Sequence, residues 1–310
     1  RPRSFSRRAG LALAVASALI LITTAVALRR SSLEYSLIGS SHQQVLFVGD
    51  SAYHRIVVLQ RLRTRRELMF DTAAQTRMDT RDPFGPGNPY TDSFHLARLM
   101  RPDIKRVLMI GLGGGTAAKQ FVRYYPDVTF DVVEVDPMVV HVAQQFFGVQ
   151  PGGRLRIHLG DGRTFVQRSA ERWDLIIIDA YTEGRYGVTI PPHLATREFF
   201  NDVASHLTEG GILHFHCVFT NSPLLPAIEK TIANVFPSTL VAKGEIIGSM
   251  VPLITPREVM TQRASLGPTA RLPELTSYIA LLGPVPPIPA RIPLLTDDYA
   301  PVDTLIHAPH

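Results

Sequence analysis

The chain has 310 residues, 45% of them hydrophobic and 19% charged, which excludes a disordered or collagen-like polymer and suits one large or two small domains. Its formal charge of +5 comes from the leader: the first 30 residues carry six arginines and no acid, and the remainder holds 26 Lys and Arg against 27 Asp and Glu. A nearly neutral body has no electrostatic footprint for nucleic acid, and a single cysteine, Cys217, excludes an intrachain disulfide.

Residues 1–30 form the first unit. Ala9 to Leu28 is an uncharged run of 20 residues flanked by Arg7-Arg8 and Arg29-Arg30. As a helix it spans about 30 Å, the thickness of a bilayer's hydrocarbon core. A transmembrane anchor is therefore expected. The competing reading is a secretory signal peptide with a small-x-small site at Ala25-Val26-Ala27.

Residues 31–100 read as a small β-domain. VLFVG, YHRIVVLQRL and ELMFD are short β-branched and aromatic runs. RDPFGPGNPY, with three prolines and two glycines, is a loop, and Thr91 to Met100 has a helical pattern. From residue 101 to 245 strands alternate with helices: RVLMIG, TFDVVEVD, LRIHLGD, WDLIIIDAY and ILHFHCVF are strands, and Gly210-Gly211 ends the helix before the last. Buried apolar strands separated by helices predict a Rossmann-like α/β fold, a doubly wound parallel sheet covered on both faces. Residues 246–310 are proline-rich and are expected to wrap back over the body as an extended tail.

Four candidate binding motifs sit at carboxyl ends of those strands, where open α/β sheets hold their ligands. Gly111, Gly113 and Gly115 lie in the turn after the first strand, letting backbone approach a ligand closely. Glu134, 23 residues past Gly111, can accept hydrogen bonds from both ribose hydroxyls. Asp161, followed by Gly162, can accept from an adenine amino group, and Asp179 ends the fourth strand. An acid after the third strand and a GxGGG turn favour an S-adenosyl nucleotide over a dinucleotide. His214 and His216 share one face of a strand, but no nearby acid or cysteine completes a site on that face, so no metal is expected. Cys217 reads as a buried strand residue.

From about Tyr53 to Phe236 the chain resembles the spermidine synthase (polyamine aminopropyltransferase) family. The resemblance rests on Tyr53-His54-Arg55-Ile56-Val57-Val58, Asp71-Thr72-Ala73-Ala74-Gln75, VLMIGLGGG, VVEVDPMVV, LGDGRTF and WDLIIIDAY. Ile190 to Leu194 and Leu295 to Val302 resemble the family's membrane-fused branch. The resemblance implies a nucleotide contact for Gln75, a catalytic role for Asp179, S-adenosylmethionine or its decarboxylated form as substrate, and a small-molecule amine acceptor. It also implies a homodimer. Four arginines before the span and two directly after it would place the body outside by the positive-inside rule, whereas the implied chemistry needs a cytoplasmic metabolite and so a body held in the cytoplasm at the inner membrane; both orientations stay open. Three positions depart from the family pattern. Gly114 stands where an aspartate reads the decarboxylated cofactor, Thr182 where a second aspartate reads the amine, and Tyr90-Thr91-Asp92 where Tyr-His-Glu is usual. Glu183 and Asp92 are then candidates for the missing negative charge, and Tyr90 and Tyr181 for packing on the acceptor or the sulfonium face. Two further readings stay open. One is a methyltransferase or acceptor-independent chemistry on S-adenosylmethionine. The other is a membrane-tethered nucleotide sensor without catalysis.

Overall fold

The computed structural model describes residues 43–184 and 187–307. The anchor expected at 9–28 lies outside them; among the described residues no helix is long and apolar enough to cross a membrane. The chain opens with four strands, β1 (Gln43–Asp50), β2 (Arg55–Arg61), β3 (Arg65–Phe70) and β4 (Ala73–Asp79), paired in sequence order as an antiparallel sheet. Ile56 and Val58 on β2 and Leu68 on β3 are fully buried, so this small sheet presents its apolar face to the body.

The helix expected over 91–100 is a tight 3-10 turn, Pro89–His95, followed by a short α-helix, Leu96–Met100. Pro89 sets the first φ, and Ser93 Oγ donates back to the Tyr90 carbonyl at 2.7 Å, closing a three-residue turn. The tightening turns Tyr90 toward the cavity described below and drives Asp92 inward.

The body is an eight-stranded sheet. Its strands are β5 (Arg106–Ile110), β6 (Thr129–Glu134), β7 (Leu155–Leu159), β8 (Trp173–Ile178), β11 (Leu207–His216), β12 (Ser238–Ala242), β13 (Glu245–Ser249) and β14 (Gly283–Pro284). A separate two-stranded hairpin, β9 (Thr182–Gly184) with β10 (Gly187–Thr189), projects from the rim. The sheet order is β14-β12-β13-β11-β8-β5-β6-β7. The five strands from β11 to β7 are parallel, as expected, whereas β13, β12 and β14 add antiparallel pairs at one edge. The sheet is thus mixed rather than wholly parallel.

Side-chain alternation shows why both faces are covered. Val107, Met109, Leu175 and Ile177 enter one buried cluster, while Leu108, Ile110, Ile176 and Ile178 enter the other. Each such side chain contributes about 1.5–3 kcal/mol on burial, which commits β5 and β8 to the centre of the sheet.

Two expectations for the C-terminal part are corrected. Gly210-Gly211 does not end a helix: the helix Arg197–Ser205 stops earlier, and the pair lies within β11, where pairing with β8 shifts between Leu207 and Ile212. The boundary at 245/246 cuts through β13, and the tail carries helices Arg257–Ala264, Leu275–Leu281 and Val302–His307 rather than extended chain throughout. The missed signal is Lys243-Gly244. Both residues have positive φ, +50° and +85°, and they join β12 to β13 as a tight hairpin. An extended reach of tail does cross the body: Arg163 grips Asp297 with paired bonds of 2.6 and 2.7 Å.

Candidate active site

The order β8-β5-β6-β7 sets four strand ends side by side, so Asp179, Gly111, Glu134 and Asp161 follow one another along a single rim. The chain runs from β5 outward through β6 and β7 and then returns to β8 on the other side, making the β5/β8 crevice a topological switch point. A cavity of about 550 Å³ opens there, roofed by Gln75 and its neighbours on β4. Gln75, Gly111, Gly113, Glu134, Asp161, Gly162, Asp179, Tyr90 and Tyr181 all line it. The convergence expected of Gln75, Glu134, Asp161 and Asp179 is therefore present.

Gly111 has φ +97°, and a Cβ there would stand 2.1 Å from the Asp179 carbonyl oxygen, so only glycine lets the two strand ends come this close. Glu134 is buried. Its Oε2 accepts from Leu112 N and its Oε1 from Asp136 N, each at 2.9 Å, which leaves a second lone pair on each oxygen for a diol. Burial pushes its carboxyl above the ordinary range, against the pull of those two amides. Asp161 caps the helix Gly162–Arg168 by accepting from Thr164 N at 2.8 Å, and its Oδ2 accepts from His193 Nε2 at 2.8 Å. Burial alone would raise its pKa, but those bonds outweigh it and hold the carboxyl low. His193 lines the cavity, a placement the sequence did not reveal.

Asp179 faces a different wall. Its Oδ2 accepts from the Tyr90 hydroxyl at 3.2 Å. Burial raises its pKa, and the nearby His216 pulls the other way. Tyr181 is pinned at the far side: its hydroxyl donates to the His216 carbonyl at 2.6 Å and accepts from Val218 N at 3.1 Å. Among the described residues the cavity holds no carboxylate beyond Glu134, Asp161 and Asp179.

Two candidate residues, Gly115 and Asp92, do not join the lining, and a third, Glu183, falls outside what is described. Gly115 starts the helix Thr116–Tyr124 with φ +70°, and its missing Cβ makes room for Val149, so its role is structural. Glu183 sits in β9, but its side chain lies outside what is described. Asp92 is fully buried away from the cavity, where its Oδ2 accepts from Glu274 N at 3.2 Å and its Oδ1 has no partner among the described residues. It cannot read an amine acceptor from there.

Burial pushes the Asp92 carboxyl up to about 6. The folded state therefore holds a proton that the unfolded chain has released, and stability falls as pH rises from about 4 to 6. Asp92→Asn is expected to stabilise the protein by about 1–3 kcal/mol at pH 8 and to do nothing of the kind at pH 4. Thermal melts at both pH values check this; equal shifts at the two would contradict it.

Gly114, the position where an aspartate was expected, is closed by the small sheet. Its N–H donates to Thr76 Oγ1 at 2.8 Å, and a Cβ there would meet Thr76 Cγ2 at 2.5 Å. Gly114→Asp is therefore expected to lower the melting temperature, and Thr76→Gly in the same protein to recover most of the loss. A melt in which the two changes simply add would contradict that contact.

The signature described as the spermine/spermidine synthase domain matches residues 91–245. A polyamine aminopropyltransferase of Vibrio vulnificus is 30% identical over 272 residues, covering 82% of this chain and 89% of that relative. The chain belongs to the spermine/spermidine synthase family. A putrescine N-methyltransferase of Nicotiana tabacum is 31% identical over 191 residues, 57% of this chain and 51% of its own length. The fold is shared with the crystal structure of a probable spermidine synthase from Corynebacterium glutamicum, with a TM-score of 0.60, 16% identity, and coverage of 80% of this chain and 98% of that one. Membership of this family makes the chain a transferase enzyme. Among the described residues, no group of histidine, cysteine and acidic side chains could hold a metal ion.

Proposed function

We propose that the protein transfers an aminopropyl group from decarboxylated S-adenosylmethionine to a small amine acceptor, a step of polyamine synthesis. Asp179 carries this reading. Glu134 and Asp161 are each tied to backbone N–H groups, as suits fixed nucleoside contacts, whereas the side-chain bond of Asp179 goes to a tyrosine hydroxyl in the opposite wall.

The acceptor amine arrives protonated at neutral pH and has no lone pair until a base removes the proton. Asp179 Oδ1 accepts that proton while Tyr90 holds Oδ2. The freed lone pair forms the new C–N bond as the C–S bond breaks, and its electrons turn the sulfonium into a neutral thioether. Burial raises the basicity of Asp179 toward the range a proton acceptor needs. The cavity wall of Tyr90 and Tyr181 suits an alkyl chain beside a sulfonium.

A second reading is methyl transfer from intact S-adenosylmethionine. It is favoured by the methyltransferase among the relatives, and by Gly114, which leaves out the aspartate that the resemblance assigns to reading the decarboxylated cofactor. Incubation with each cofactor form and a panel of di- and polyamines, with products identified by mass, separates the two. Addition of an aminopropyl unit is expected; addition of a methyl group alone would overturn the first reading in favour of the second.

The uncharged stretch 9–28 supports one more element of the proposal, a membrane anchor, and the need for a cytoplasmic cofactor and amine supports a body on the cytoplasmic side of the inner membrane, against the excess of arginines before the stretch. Release of the full chain from membranes by alkaline carbonate would contradict it.

A further inference from the structure

Behind the wall that carries Tyr90 lie three buried titratable side chains that the transfer step does not touch. His214 and His216 alternate with Phe215 on β11 and so share a face. Glu245, the first residue of β13, pairs with His216 across the antiparallel ladder, in the register set by the Lys243-Gly244 turn. Its carboxylate bridges the two rings: Oε2 accepts from His214 Nε2 at 2.9 Å and Oε1 from His216 Nδ1 at 2.7 Å. This is the acid that was not visible beside the histidines in sequence.

The His216 ring lies flat on Tyr90, with centroids 4.0 Å apart and planes 6° from parallel. Tyr90 in turn donates to Asp179. A continuous path therefore runs from Glu245 through His216 and Tyr90 to the candidate base. His214 and Glu245 are sealed from solvent and His216 nearly so. The charge of Glu245 reaches Asp179 and opposes its ionisation, so the buried pair needs a counter-charge, because an uncompensated buried ion costs several kcal/mol.

We propose that Glu245 holds a proton on His216, and that the resulting imidazolium, packed under Tyr90, is the counter-charge that keeps Asp179 ionised and aimed at the acceptor amine. Glu245 and His216 are positioning residues; neither touches substrate. The amine proton goes to Asp179, and the proton on His216 stays where it is throughout the transfer. This inference rests on the reading of Asp179 as the base.

The titratable groups facing His216 from the packed elements are Tyr90, Asp179, Tyr181, His214 and Glu245, with Cys217 and Tyr278 near Glu245. Their balance supports the assignment. Burial alone would lower the His216 pKa, but Glu245 and Asp179 outweigh it and raise it. Burial alone would raise Glu245, but His216 and His214 outweigh it and hold it ionised.

Glu245→Gln keeps the shape and removes the charge. His216 then loses its proton, Asp179 becomes harder to ionise, and the acidic limb of the kcat/KM profile is expected to move up by about one pH unit, an approximately tenfold loss on that limb. Affinity for the thioether product 5′-methylthioadenosine should not change. A limb that stays in place in a folded Glu245→Gln protein would overturn the proposal. Histidine-selective NMR of the wild-type protein is the second measurement and needs neither a variant nor turnover. A His216 ring still charged at pH 7 supports the proposal, and a neutral ring overturns it. Absence of aminopropyl transfer in the wild type would count against the proposed reaction and leave the NMR result to decide the charge of the cluster.

Discussion

Asp179→Asn is expected to cut aminopropyl transfer by about 10²–10⁴-fold, the range attributed to a positioned general base. The amide has the same shape and can still accept from the Tyr90 hydroxyl, so the wall of the cavity should stay in place. What disappears is the acceptor for the amine proton, together with the negative charge that attracts a cationic substrate. Affinity for 5′-methylthioadenosine should be unchanged, because that ligand brings no amine to the site. Steady-state kinetics beside calorimetry check both halves. Full turnover in the variant would remove Asp179 from the mechanism, whereas loss of thioether binding would show that the substitution had damaged the cavity.

Glu134→Gln is expected to act on the other side of the ledger, weakening 5′-methylthioadenosine by about a hundredfold, or about 2.7 kcal/mol. Glu134 accepts from Leu112 N with one oxygen and from Asp136 N with the other. Glutamine offers one oxygen, and its amide must turn a donor toward one of those N–H groups. The glycine turn then loses a tie to the strand end, and the ribose loses a charged acceptor. Calorimetry on the thioether gives the number. Unchanged affinity would mean that the ribose lies elsewhere on the rim.

The parts of this site that were legible in sequence are those made by one strand and the turn that follows it. Glu134 and Asp179 each follow closely on a largely apolar run that forms a buried strand, Asp161 follows the partly exposed edge strand β7, and parallel strands bring their carboxyl ends to one edge whatever their order. Gly111 was legible for the same reason, although the need for glycine, the approach of the Asp179 carbonyl, is a contact between neighbouring strands. Asp92 failed because a helical reading of 91–100 could not say which way a 3-10 turn would point it. The substrate-side departure at Gly114 was visible, but its physical cause, Thr76 reaching over from the small sheet, depends on packing between two segments far apart in the chain.

Glu245 was missed for a related reason. A histidine pair on β11 gives no hint of its partner until β13 is known to run antiparallel beside it, and cutting the chain at 245 divided the hairpin that sets that register. The Lys243-Gly244 turn between two β-branched runs was the available signal. Side chains supplied across an antiparallel edge are harder to foresee than side chains at a parallel rim, because register rather than strand order decides which residues meet.

The central claim is that Gln75, Glu134, Asp161 and Asp179 surround one adenosyl sulfonium at the mouth of the sheet, with Asp179 beside the carbon under attack. A crystal structure of the protein with decarboxylated S-adenosylmethionine tests it most directly. The account predicts the ribose on Glu134, the adenine against Asp161 and the aminopropyl carbon next to the sulfonium turned toward Asp179. A nucleoside bound with that carbon pointing away from Asp179, or seated outside this cavity, would contradict it.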